Sequence, residues 1–95
     1  PGWRLLARRC KVPGGAADLI ARRRRTVAFV EVKWRERSAE LDHAIDEYRL
    51  RRVAVAAARL APRHVRPGDD MRIDVMLLAP GRWPHHLANV WMGRD

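Results

Sequence analysis

The chain is expected to fold as a mixed α/β domain: three strands, a long helix, then a fourth strand. Three observations predict this. Residues 26–33, Thr-Val-Ala-Phe-Val-Glu-Val-Lys, concentrate the β-branched and aromatic side chains that suit a pleated sheet. Between residues 39 and 60 the apolar positions change to three- and four-residue steps, the period of a helix with one apolar stripe. Pro-Gly pairs at Pro13-Gly14, Pro67-Gly68 and Pro80-Gly81 mark turns between these segments. The 95 residues make one domain, 1–95, with no repeat and no low-complexity segment.

The elements follow in order. Residues 3–9 (Trp-Arg-Leu-Leu-Ala-Arg-Arg) read as the first strand. Val12-Pro13-Gly14-Gly15 is a turn, because proline presets φ and glycine accepts positive φ. Residues 17–21 read as the second strand, Arg22–Arg25 as a polar hairpin loop, and residues 26–33 as the third strand. The helical stripe runs Leu41, Ala44, Ile45, Tyr48, Val53, Ala56, Ala57 and Leu60. Asp46 and Glu47 near its start and Arg59 near its end suit the helix dipole, and Pro62 is expected to end it. Residues 63–70 form a loop, residues 71–78 a fourth strand, and residues 82–91 a tail of unassigned type. A helix between the third and fourth strands predicts a right-handed crossover joining parallel strands. The third strand is apolar on both faces, so both need cover. The opening Pro1-Gly2-Trp3-Arg4 reads as a chain entered partway, so a preceding segment, a tail or a second subunit is the expected cover.

Composition narrows the function classes. The apolar share of 47% and charged share of 33% suit a globular domain. One cysteine, Cys10, excludes an intrachain disulfide and fits a reducing cytoplasm, with a buried strand position as its expected place. No signal-peptide pattern or membrane-length apolar run is present. The net charge of +9 is uneven: residues 1–35 hold ten basic residues and only two acids, Asp18 and Glu31. Such a field draws in polyanions.

Those two acids carry the chemistry. With residues 22–25 as the loop, Asp18 falls opposite Phe29 and Ala16 opposite Glu31. Alternation then sends Ala16, Asp18, Phe29, Glu31 and Lys33 out of one sheet face. Asp18 and Glu31 become diagonal neighbours about 7–8 Å apart at the backbone. A one-residue slip would separate them onto opposite faces. Two readings of the trio stand side by side. In one, the carboxylates hold a divalent cation that uses oxygen ligands, and Lys33 orients water or neutralises charge at a phosphoryl group. In the other, the trio is a buried ion pair.

Asp18 followed by Glu31-Val32-Lys33 resembles the PD-(D/E)XK nuclease motif. More narrowly, Gly14-Gly15-Ala16-Ala17-Asp18-Leu19-Ile20-Ala21 resembles the Gly-Gly-Glu-Ile-Asp-Leu-Ile-Ala stretch of the YraN-like family of small bacterial proteins. Phe29-Val30-Glu31-Val32-Lys33 matches that family's Phe-Val-Glu-Val-Lys, and Arg72-Ile73-Asp74-Val75 resembles its Arg-Phe-Asp-Val. Pro80-Gly81-Arg82-Trp83-Pro84 resembles the ending of some members. The resemblance implies a restriction-endonuclease-like mixed four-stranded sheet (β-β-β-α-β), akin to archaeal Holliday-junction resolvases, with the usual N-terminal helix absent from this chain. It implies Asp18, Glu31 and the Val32 carbonyl as ligands of Mg²⁺ or Mn²⁺, and Lys33 as the catalytic lysine. The chain departs from the family at Ala16, where a glutamate is usual, and weaker metal affinity is the expected consequence.

The implied partner is DNA, branched or nicked, with a two-fold dimer as a further expectation because a double-strand cut needs two sites. Arg22, Arg23, Arg24 and Arg25 at the hairpin tip, together with Arg35, are the candidate DNA contacts; a solvated loop is the alternative for the tip. Arg49, Arg51 and Arg52 read as a wet helix face. Trp34 is placed to stack on a base, whereas Trp3, Trp83 and Trp91 are expected in the core. Asp74 is expected to pair with a helix arginine. His85-His86 lacks the spacing of a zinc site. The competing functions are thus a metal-dependent endonuclease, a nucleic-acid-binding module that has lost catalysis, and a structural role.

Overall fold

The computed structural model describes residues 2–34 and 47–91. The elements are β1 (Arg4–Val12), β2 (Gly15–Arg23), β3 (Thr26–Trp34), α1 (Glu47–His64), β4 (Asp70–Leu78) and β5 (His85–Leu87). They form one five-stranded mixed sheet in the order β1-β2-β3-β4-β5 with one described helix. β1/β2, β2/β3 and β4/β5 are antiparallel, and β3/β4 is parallel. The helical connection between β3 and β4 is therefore the crossover that a parallel pair requires. The fifth strand was not expected. It forms where the chain turns back at Pro80-Gly81 and pairs His85–Leu87 with the open edge of β4.

The first hairpin closes as read: Val12 faces Gly15 across Pro13-Gly14, and Gly14 has φ 80°. Gly15 has a different role. A Cβ there would lie 2.5 Å from the Arg52 carbonyl oxygen and 2.8 Å from the Ala56 backbone nitrogen. Only hydrogen lets α1 approach β2 that closely.

The second hairpin departs from the expected loop. Arg22 and Arg23 belong to β2, and Arg24-Arg25 alone make the turn, with Arg24 at φ 57°. The arginines extend the strand because tertiary partners hold them. Arg22 donates to the Asp69 carboxylate at 2.7 Å and to the His64 carbonyl at 2.9 Å. The Arg23 guanidinium lies 5.0 Å from the Trp3 ring centre. The shorter turn moves the register by two residues, so that Ile20 rather than Asp18 lies opposite Phe29. A shift of two preserves which face each side chain takes.

α1 buries Leu50, Val53, Ala56, Ala57 and Leu60 against Ile20, Val27, Phe29, Ile73, Val75 and Leu77. Tyr48, expected in the stripe, is 68% exposed, and Leu50 takes the inward position. Leu41, Ala44 and Ile45 lie outside the described residues. Pro62 does not stop the helix, which runs to His64 and closes with Val65 N–H donating to the Ala61 carbonyl at 2.8 Å. Pro62 has no N–H to donate to the Ala58 carbonyl, so the helix forgoes one hydrogen bond near its end. Both faces of β3 are buried, with Val27 and Phe29 on one and Ala28 and Val30 on the other. Cys10 is a half-buried free thiol packed against the core. No described helix is long and apolar enough to cross a membrane. Gly15→Ala is expected to destabilise the protein by about 1–3 kcal/mol, because both clashing atoms are backbone. A urea melt checks this by a lowered midpoint at unchanged slope.

Candidate functional site

Pairing between β2 and β3 runs from Arg23–Thr26 to Leu19–Val30. Beyond that point β2 stays with β1, through Cys10–Ala17 to Val12–Gly15, while β3 stays with β4 as far as Trp34–Leu78. The two strands part at Asp18. Beside it, the β1 register passes from Arg8–Leu19 to Cys10–Ala17 across Arg9, whose φ of 55° is left-handed. Asp18 Oδ2 accepts the Val32 N–H at 2.7 Å. A side-chain carboxylate thus takes the donor that the diverging backbone leaves behind. In extended backbone a residue's N–H and C=O leave by the same edge, so the Val32 carbonyl also faces the parting.

Glu31 and Lys33 share the Phe29 face, toward α1, by strand alternation. Only 7% of Glu31 and 5% of Lys33 are exposed. Glu31 Oε2 is buried and accepts no hydrogen bond from the described residues, with Arg49 Nη1 of α1 at 3.6 Å. Burial, reinforced by the nearby Asp18 charge, pushes the Glu31 carboxyl above its ordinary value, while Arg49 and Lys33 pull it back. Asp18, Glu31, Lys33 and Arg49 are therefore electrostatic neighbours. Ala16 does not lie opposite Glu31 as expected. It pairs with Lys11 of β1, past the parting.

No three His, Cys, Asp or Glu among the described residues gather closely enough to hold a metal on their own. Mg²⁺ needs fewer, since it commonly takes one or two carboxylates and completes its shell with water and phosphate oxygens. The unsatisfied Glu31 oxygen beside a second carboxylate fits that requirement.

The expected DNA contacts separate in space. The Arg22 guanidinium is committed to Asp69 and two backbone carbonyls. That pairing holds the Asp69 carboxyl below its ordinary value. Arg23 lies over Trp3, and Arg24 and Arg25 are exposed at the tip. Arg35 lies outside the described residues. Trp34 is 57% exposed at the end of β3. Trp83 is 92% exposed in the β4–β5 turn, contrary to the core position expected for it. Arg49, expected on a wet helix face, is exposed there and also reaches Glu31. No sequence signal singles it out, since helix rotation about its axis is set by packing.

A second charged cluster lies on the opposite face. Asp74 is fully buried, and its partners are Arg72 (3.0 Å), His86 Nε2 (2.6 Å) and the Asn89 N–H (2.9 Å). No helix arginine is among these partners. Arg72 comes from the same strand face two residues away, and β5 carries His86 across from β4.

Glu31→Gln is expected to raise the melting temperature at neutral pH by a few degrees, since the raised pKa means that the fold favours the neutral side chain over the charged one. A raised folded-state pKa means that stability is lost as pH rises through that value. The gap between variant and wild type should therefore narrow as pH falls through that raised value and be gone below 4.5, where the unfolded carboxyl is also protonated. Thermal melts across this pH range check both parts.

Residues 1–78 match the uncharacterised protein family UPF0102. A UPF0102 protein of Sphingopyxis alaskensis is 68% identical over 90 residues, covering 95% of this chain and 78% of the relative. One from Erythrobacter litoralis is 61% identical over 90 residues, with 95% and 78% covered. One from Rhizorhabdus wittichii is 58% identical over 93 residues, with 98% and 79% covered.

Proposed function

The chain belongs to the UPF0102 family, and we propose that it is a metal-dependent, endonuclease-like protein of restriction-endonuclease-like architecture that hydrolyses DNA phosphodiester bonds. The observation that carries this reading is the pair of carboxylates at the parting of β2 and β3. One is anchored on Val32 N–H, and the other has a buried oxygen without a hydrogen bond from the described residues.

Each residue has a role that follows from its position. Asp18 and Glu31, with the Val32 carbonyl on the same edge, would hold Mg²⁺ or Mn²⁺. When bound, such an ion lowers the pKa of water and stabilises charge growing on a phosphoryl group. Lys33 lies on the Glu31 face, two residues along the strand, where its ammonium can orient a water or offset negative charge on the substrate. The +9 net charge favours encounter with the polyanion, and the exposed Arg24 and Arg25 supply backbone contacts at the hairpin tip.

Ala16, in place of the glutamate usual in the resemblance, favours a second reading: a DNA-binding module whose nuclease site has degenerated. One assay separates the two. Purified protein is incubated with branched, nicked and linear DNA in Mg²⁺, Mn²⁺ or EDTA. Cutting is expected only with metal, and it should fall by about 100-fold or more in Asp18→Asn and Lys33→Ala. Salt-sensitive binding indifferent to metal, without cutting, would assign the binding module instead.

A further inference from the structure

Arg49 stands apart from the other helix arginines. Its guanidinium is 3.6 Å from Glu31 Oε2, yet its side chain is 61% exposed while that of Glu31 is 10% exposed. A solvent-exposed cation therefore rests against a buried carboxylate oxygen that accepts no hydrogen bond from the described residues. At 3.6 Å the contact is an ion pair longer than an ordinary hydrogen bond. A guanidinium and a divalent cation at the same carboxylate repel each other at close range, so each weakens the hold of the other.

We propose that Arg49 is a displaceable counter-charge: it neutralises Glu31 while no metal is bound, and moves to a phosphate oxygen of the nucleic-acid substrate when a divalent cation takes the Glu31 carboxylate. The inference rests on the metal-dependent reading above. It makes metal entry and substrate grip two consequences of one movement. Guanidinium suits the second position because its donor fork matches phosphate oxygens. The short reach from the first turn of α1 keeps the freed charge beside the site.

The test compares wild type, Arg49→Gln and Arg51→Gln. Arg51 is an exposed residue of the same helix, so its loss changes net charge equally. Mn²⁺ binding is read by paramagnetic resonance. Arg49→Gln should bind Mn²⁺ about tenfold more tightly than wild type, and Arg51→Gln should match wild type. Binding of nicked DNA is then measured against salt concentration on ice, before cutting begins. With Mn²⁺ present, the log–log slope should fall by about one in Arg49→Gln. In EDTA, where Glu31 retains the guanidinium, the slope should not change. Equal Mn²⁺ affinity in wild type and Arg49→Gln overturns the counter-charge and leaves the metal site standing. An equal slope change in EDTA makes Arg49 a fixed phosphate contact and overturns the displacement. Failure of all three proteins to bind Mn²⁺ overturns this inference together with the metal-dependent reading.

Discussion

The Asp18 carboxylate sits on the Val32 N–H at 2.7 Å, and the candidate site depends on that contact. Past Leu19 and Val30 the two strands have different partners, β1 for one and β4 for the other. A backbone donor left at the fork would lose its hydrogen bond, at a cost of about 1–3 kcal/mol if buried. Asp18 supplies the acceptor and is itself fixed in direction. The fork stays open because a side chain rather than a strand closes it.

Two acids buried in one sheet have opposite fates. Asp74 is enclosed by an arginine, a histidine and a backbone N–H, so its charge is matched and it ties β4 to β5 and the following segment. Glu31 has a buried oxygen with no hydrogen bond from the described residues and a guanidinium at ionic distance. Burying a charge is costly unless it is paired, so an under-compensated carboxylate marks a place where binding can release the cost. Similar burial with unequal compensation separates the Asp74 brace from the candidate site at Glu31.

Much of the fold was legible. The β-branched run made β3, the helical period made α1, and the Pro13-Gly14 pair made the first turn. The site trio was legible for a narrower reason. Side chains alternate with a period of two, so Glu31 and Lys33 stay together on the Phe29 side of β3 whatever the hairpin register, and Asp18 reaches the same strand through the Val32 N–H. What stayed hidden depends on partners distant in the chain. Arg22 looked like loop, yet Asp69 makes it strand. Gly15 looked like a turn residue, yet it is the contact point for α1. Trp83 looked like core because tryptophan usually is, and Tyr48 looked inward because the period allowed it; both are exposed.

The sequence by itself determined which segments extend, which one coils and which side chains share a face, since these follow from local sterics and periodicity. Tertiary structure alone decided the hairpin register, the parting of β2 from β3, the partners of Asp74 and the placement of Arg49 beside Glu31. These features depend on contacts between residues 18 and 32, 22 and 69, and 31 and 49. Contacts of that kind form between elements whose relative positions are set only when the core packs, and local propensity carries no information about them.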